Sequence, residues 1–492
     1  MQTTLNSYFC PMQKKFVTNL AFMLFMNLFI KSIYVLGVDR AVQNEVGAAS
    51  YGMYYATFNL SIIFSIFLDF GITNFNNKSI AQNNNLLTKH FSGLFTLKML
   101  LAAFFIIILL SVGLCIGYDE LLIKLLLLQG FNMFLISFVN YLRSNLAGLH
   151  LFKTDAMVSV LDKFLLIFLC IVMFRTGVLK DPDGQGIMYF VYAQTFAYFI
   201  TAVIAFIIIS NKTLVFKLQW NWAFTLLILK KSFPFAVLTL LMSFYNRIDT
   251  VMIERMLPDG DAQAGIYAQA FRILDSTNMV ALLTAGMLLP IFSRMLKNNE
   301  SVESLVKLVS TLLIAPAIVI GVGCVFYSTE LMGLLYPMHV EESAKIFGLL
   351  MLSFIAIAVI YIFGTLLTAN DNLKQLNTIA AIGIGLNILL NLIFINFLQS
   401  YGAAISSMVT QFLTAFIQLM MAQRIFKFKI NYRLINSLIM FTAGVIAINY
   451  GSKMLPLSWL ISFSIMVAAC GLWAFVSGVL SVKGIFRLYK YG

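Results

Sequence analysis

Four ionisable residues sit in stretches that are otherwise built for hydrocarbon. Residues 232–256 and 266–292 are two long apolar runs joined by a short polar turn, LPDGDAQAGIY. The first run carries Arg247 and Asp249, the second Arg272 and Asp275. Each run can cross a bilayer, since about 20 helical residues at ~1.5 Å each cover ~30 Å of hydrocarbon. An ionised side chain there costs about 3 kcal/mol on insertion scales, so such residues are candidates for function. Two chemistries fit. Arginine presents a planar fork that matches phosphate. A carboxylate in a span can relay a proton.

Depth counts pair them. If the first limb ends near Met256 and the second starts near Ile266, Arg247 is level with Asp275 and Asp249 with Arg272. Arg272 and Asp275, three apart, also share a helix face. Two readings stay open. One is a neutralised clamp between helices. The other is the charged wall of an aqueous cavity, with arginines for an anion and an acid for a proton.

The elements that must position these residues follow from composition. Hydrophobic residues make up 61% of the chain and charged residues 11%, where a soluble domain has about 25% charged. The expected class is an all-α polytopic membrane protein. Spans are expected at 16–36, 51–72, 91–116, 122–146, 157–176, 187–209, 232–256, 266–292, 305–327, 345–368, 376–398, 401–422, 434–451 and 457–480. The runs are continuous and do not alternate as barrel strands do. The stretch 219–231, with Trp220 and Trp222, reads as a surface helix with its tryptophans at headgroup level.

The net charge of +13 is a topology signal. Lys and Arg fall about three to one on the side that holds the N-terminus, which places both termini in the cytoplasm. Nucleic acid is not needed to explain the charge. The loops are short, so function must lie in the bundle. GAASYGMYYA at 47–56, AQAGIYAQAF at 262–271 and SYGAAISS at 400–407 form a faint repeat. The first two copies lie six spans apart, so the halves would be parallel and related by an axis along the membrane normal, with substrate between them. The expected division is 1–218 and 219–424 as two six-helix lobes, and 425–492 as two more spans with a basic tail.

Motifs for covalent chemistry are weak. Asp181-Pro182-Asp183 matches a glycosyltransferase DxD but reads as turn chemistry before Gly184. Gly383 and Gly385 lie within a span and have no strand before them. There is no phosphate-binding lysine loop and no hydrolase motif, so no enzyme and no cofactor is expected. Cys10, Cys115, Cys170, Cys324 and Cys470 form no CxxC, and His90, His150 and His339 are far apart. No metal site is expected.

Other charges complete the candidates. Lys31, with Arg247 and Arg272, is an anion-attracting group. Asp69, near the inner end of the second span, joins Asp249 and Asp275 as ion-pair or proton-carrying candidates, and Lys98 lies at a depth where it could pair with Asp69. Lys98 and Lys163 otherwise snorkel to the headgroups.

LDFGITNFNNKSIAQ at 68–82 and FYNRIDTVMIERMLPDGDAQAGIYAQAFRILD at 244–275 resemble the bacterial polysaccharide exporters. So do LPIFSR at 289–294, LNILLNLIFI at 386–395 and YGAAISSMVTQ at 401–411. That family belongs to the multidrug/oligosaccharidyl-lipid/polysaccharide (MOP) exporter superfamily. The resemblance implies a MATE-like fold in the bacterial inner membrane. It implies an O-antigen, capsule or exopolysaccharide flippase that moves a polyprenyl-diphosphate-linked oligosaccharide to the outer leaflet by alternating access. Its partners would be that glycan lipid, membrane lipids and other polysaccharide-assembly membrane proteins. The superfamily also holds lipid-linked peptidoglycan precursor flippases and cation-coupled small-molecule exporters, which stay as rivals. A cation exporter would favour an acidic cavity over one bearing arginine. A membrane polymerase would need a larger outer loop.

Overall fold

The computed structural model describes residues 29–30, 33–73, 76, 80, 86–149, 151–180, 185–212, 222–428 and 432–479. These are almost entirely helical. A backbone in hydrocarbon must satisfy its own N–H and C=O groups, and a helix does so within one segment. Contacts divide the chain into two compact units, Met1–Ser243 and Phe244–Gly492.

The first unit holds α1 (Arg40–Phe64), α2 (Leu86–Ile116), α3 (Glu120–Gly148), α4 (Phe152–Thr176) and α5 (Gln185–Ser210). A π-helical turn, Ile33–Asp39, leads into α1, and a 3-10 turn, Ser65–Leu68, ends it. Helix α1 starts earlier than the expected span and is broken at Gly47, whose φ of 82° suits a residue without a Cβ. The core of this unit is aromatic: Phe91, Phe95, Phe138, Tyr141 and Phe206 pack from α2, α3 and α5. Each such ring pair adds about 0.5–1.5 kcal/mol beyond area burial. Ile107 and Leu114 of α2 and Phe168 of α4 are exposed, which suits a lipid-facing surface.

Helix α6 (Trp222–Met256) begins in the first unit and ends in the second. The second unit continues with α7 (Gly260–Lys297), α8 (Glu303–Phe326), α9 (Ser328–Leu335), α10 (Val340–Ala369), α11 (Leu373–Phe426), α12 (Tyr432–Lys453) and α13 (Trp459–Val476). Tyr327, Phe441, Met466 and Cys470 share a buried cluster that ties α8 to α12 and α13. Tyr327 and Ser452 share a 2.7 Å hydrogen bond in that cluster.

Twelve helices among the described residues are long and apolar enough to cross a membrane. One of them, α11, has 54 residues and a break at Gln399 (φ 53°, ψ −138°), so it holds two of the expected spans. Each expected span from the second to the fourteenth thus has its helix. The first, 16–36, lies largely outside the described residues, as does Lys31.

The surface helix expected at 219–231 lies partly outside the described residues. Residues 219–221 lie outside the described residues, and from Trp222 the segment is continuous with the span that follows.

Candidate functional site

The charged hairpin is formed by α6 and α7. Its turn is tight. A Cβ on Gly260 would stand 2.1 Å from the carbonyl oxygen of Glu254, so only glycine lets α7 begin this close to the end of α6. Helix α7 therefore starts at Gly260 and not near Ile266. Every residue of the second limb lies deeper than the sequence suggests.

That shift decides the partners. Asp249 and Tyr267 each lie seven residues from the turn (256 − 249 and 267 − 260). Tyr267 Oη donates to Asp249 Oδ2 at 2.9 Å, and Asn391 Nδ2 donates to Oδ1 at 2.7 Å. The expected pairing of Asp249 with Arg272 is not formed. Asp249 is 1% exposed, and both its oxygens are held by neutral donors from α7 and α11. Asn391 also donates to Asn387 Oδ1 at 3.2 Å. Asn391 Oδ1 and Asn387 Nδ2 are buried without a hydrogen-bond partner among the described residues.

Arg247, with its longer side chain, does reach Asp275. Nη1 donates to Oδ2 at 2.7 Å and Nη2 to Oδ1 at 3.1 Å, a two-pronged contact. The pair keeps some solvent access, at 19% and 28%. The guanidinium also lies over the Phe271 ring, 5.3 Å from its centre, which restricts its motion. Arg272 is half-buried on the same helix and belongs to neither acid contact. Asn246 accepts from Gln411 at 2.8 Å, which ties α6 to α11 beside the charges.

A second charged group lies in the first unit. Asp69 pairs with Lys98 at 2.5 Å, and Lys98 also donates to Leu68 O at 3.0 Å and Ser137 Oγ at 2.9 Å. Lys98 is 2% exposed, so it does not snorkel. Lys163 does not either. It donates to Tyr198 Oη at 3.0 Å, pairs with Asp162 and sits against the rings of Tyr34 and Tyr198. Both lysines stay in because partners on neighbouring helices satisfy the ammonium. The sequence missed a further pair, Arg143 Nε to Asp155 Oδ1 at 2.7 Å. It also missed Asp39, 2% exposed, which accepts from Tyr51 at 2.8 Å.

Among the described residues no three His, Cys, Asp or Glu side chains come together as a metal-holding group. The Asp181-Pro182-Asp183 motif lies outside them.

Long apolar helices in two units, with buried charges held helix to helix, define a polytopic membrane protein. Solved structures share this fold. The chain is similar to a structure of the lipid II flippase MurJ in an inward closed conformation, with a TM-score of 0.64 and 14% identity over 87% of this chain and 97% of that one. It is similar to an inward-facing multidrug resistance MATE family transporter of the MOP superfamily, at 0.61 and 14%, over 84% and 98%. A MOP superfamily transporter from Pyrococcus furiosus, described as having a binding pocket of reversed polarity, aligns at 0.59 and 14%, over 84% and 95%. At such identities the likeness is one of fold. A search of curated protein sequences finds no match. The profile of the Polysaccharide biosynthesis protein family matches residues 17–296, more than half of the 492 residues, and the chain belongs to that family.

Proposed function

We propose that the protein is a flippase for a polyprenyl-diphosphate-linked oligosaccharide, moving it from the cytoplasmic to the outer leaflet of a bacterial inner membrane. Both termini lie in the cytoplasm, as the Lys and Arg distribution suggests. The observation that carries the reading is Arg247, a partly exposed guanidinium fixed by Asp275 and Phe271 on a membrane-spanning helix. A sugar diphosphate cannot cross hydrocarbon unaided, because its polar groups would go unsatisfied. By exchanging Asp275 for the diphosphate, the arginine fork replaces water at the headgroup, while the prenyl chain stays in lipid. Arg272 and Lys31 are further cationic candidates for the same headgroup. The family description and the transporter fold support this reading over an enzyme.

Energy enters through a carboxylate. Asp275 and Asp69 each hold a cation. Asp249 holds neutral donors from two other helices, so its proton can come and go without breaking an ion pair. It is the coupling residue in this reading.

The test is transport in proteoliposomes of a polyprenyl-diphosphate oligosaccharide, with wild type compared to Arg247→Ala and Arg272→Ala at equal folding. Loss in both variants supports the anion path. Normal flipping by the variants reduces the hairpin charges to a clamp. A wild type that ignores this lipid but moves lipid-linked peptidoglycan precursor, or expels small cations, overturns the reading in favour of that cargo.

A further inference from the structure

The first unit holds an open cavity of about 520 Å³, to which the hairpin limb α6 adds Thr239 but none of its charged residues. Its size falls in the range of small-molecule sites, about 300–1,000 Å³. Asp69, Ser137, Asn140, Arg143 and Asp155 line it, with Met133 on an apolar wall. The charges cancel. Lys98 neutralises Asp69 at 2.5 Å and Arg143 neutralises Asp155 at 2.7 Å. An anion gains little here.

The wall still offers hydrogen bonds of both kinds. Arg143 spends Nε on Asp155 and one Nη1 proton on a long 3.5 Å contact to Asn140, so three of its five N–H donors remain (five by chemistry). The carboxylates keep acceptor capacity, and Ser137 and Asn140 add a hydroxyl and an amide. Such a mixture of donors and acceptors without net charge, beside a small apolar face, matches a polyol. A second observation extends the site. Gln129 and Asn132 lie on the same face of α3 as Met133, Asn140 and Arg143, by helical spacing. Both are 0% exposed, and both side-chain amides lack any hydrogen-bond partner among the described residues. Helix α3 thus carries a polar track from the cavity towards its own middle.

We infer that this cavity binds one uncharged sugar residue, with its hydroxyls on Asn140, Ser137 and Arg143 and its C–H face on Met133. The inference rests on the flippase reading only for the sugar's source, either a free sugar or the glycan of a lipid-linked chain.

Saturation-transfer NMR on the full chain in nanodiscs tests it, with methyl glycosides of glucose, galactose, mannose and N-acetylglucosamine as probes. At least one should bind. Met133→Trp, which fills the cavity, and Asn140→Leu, which removes an amide, should each weaken it at least about tenfold. Leu472→Ala, on an exposed face of the second unit, should bind as wild type. Thermal melting of each variant separates lost binding from lost fold. Competition by a polyprenyl-diphosphate oligosaccharide assigns the site to the lipid-linked glycan, and its absence assigns the site to free sugar. The inference falls if no glycoside binds, if binding survives both cavity variants, or if glycine betaine displaces the sugar. Failed lipid transport with intact sugar binding would sink the flippase reading and leave this site standing.

Discussion

The hydroxyl of Tyr267 donates to Oδ2 of Asp249 across 2.9 Å, with both residues essentially closed to solvent. A neutral donor steadies the carboxylate without locking it to a cation. Tyr267→Phe should therefore cost about 1–3 kcal/mol, the penalty for stripping a buried acceptor of its donor. Denaturation in detergent measures this. Asp249→Asn keeps the volume and should leave the fold intact while abolishing dependence of transport on a proton gradient. Gradient-dependent flipping by Asp249→Asn would move the coupling step to another residue.

The Arg247–Asp275 contact separates recognition from packing. Either single alanine variant should lower stability, and a double-mutant cycle should return an interaction of about 0.5–3 kcal/mol. The exchanged pair, Arg247→Asp with Asp275→Arg, should recover most of that stability. It should not recover transport, because the fork then sits on α7. Recovery of both would show that only the pair matters and not its position.

Lys98 is almost wholly buried in the first unit, at 2% exposed. Lys98→Met leaves Asp69 without its cation and should destabilise by about 3–5 kcal/mol, reduced by the partial exposure of Asp69. Adding Asp69→Asn should restore much of the loss. A thermal melting series on the three variants decides it, and an additive result would mean the two groups do not feel each other.

Gly260 fixes the hairpin register. Gly260→Ala should cost about 1–3 kcal/mol, since its methyl group would overlap the Glu254 carbonyl. It should also shift α7 against α6, so Tyr267→Phe made in that background should cost less than in wild type.

The spans were legible because a bilayer demands long apolar runs, and the runs at 91–116 or 345–368 leave no other reading. The Arg247–Asp275 contact was expected from a depth count that started the second limb near Ile266; with α7 starting at Gly260 the two are not level, and the contact forms because the arginine side chain is long enough to reach. The environment of Asp249 was not legible, because it depends on a turn closed by a missing Cβ at Gly260 and on Asn391 from a helix far along the chain. One signal was present: Asn387 and Asn391 stand four apart in an apolar run, on one face of α11. Arg143 lies near the end of an expected span, where a basic residue reads as part of the inner loop. In fact its guanidinium turns inward to Asp155. Lys98 and Lys163 were hidden for the converse reason, since snorkelling and burial look alike until a partner is placed.

The break at Gln399 carries a consequence for how the chain enters its membrane. As one straight rod, the 54 residues of α11 would be about 80 Å long, more than twice the hydrocarbon thickness. The reversal uses one residue in a left-handed conformation, and a Cβ on Gly402 would stand 2.2 Å from the carbonyl oxygen of Phe394. The two limbs therefore meet with no linker between them. An epitope or protease site inserted at 399 has no slack to occupy and would prise the limbs apart, so a tag there would report damage where it was meant to report sidedness.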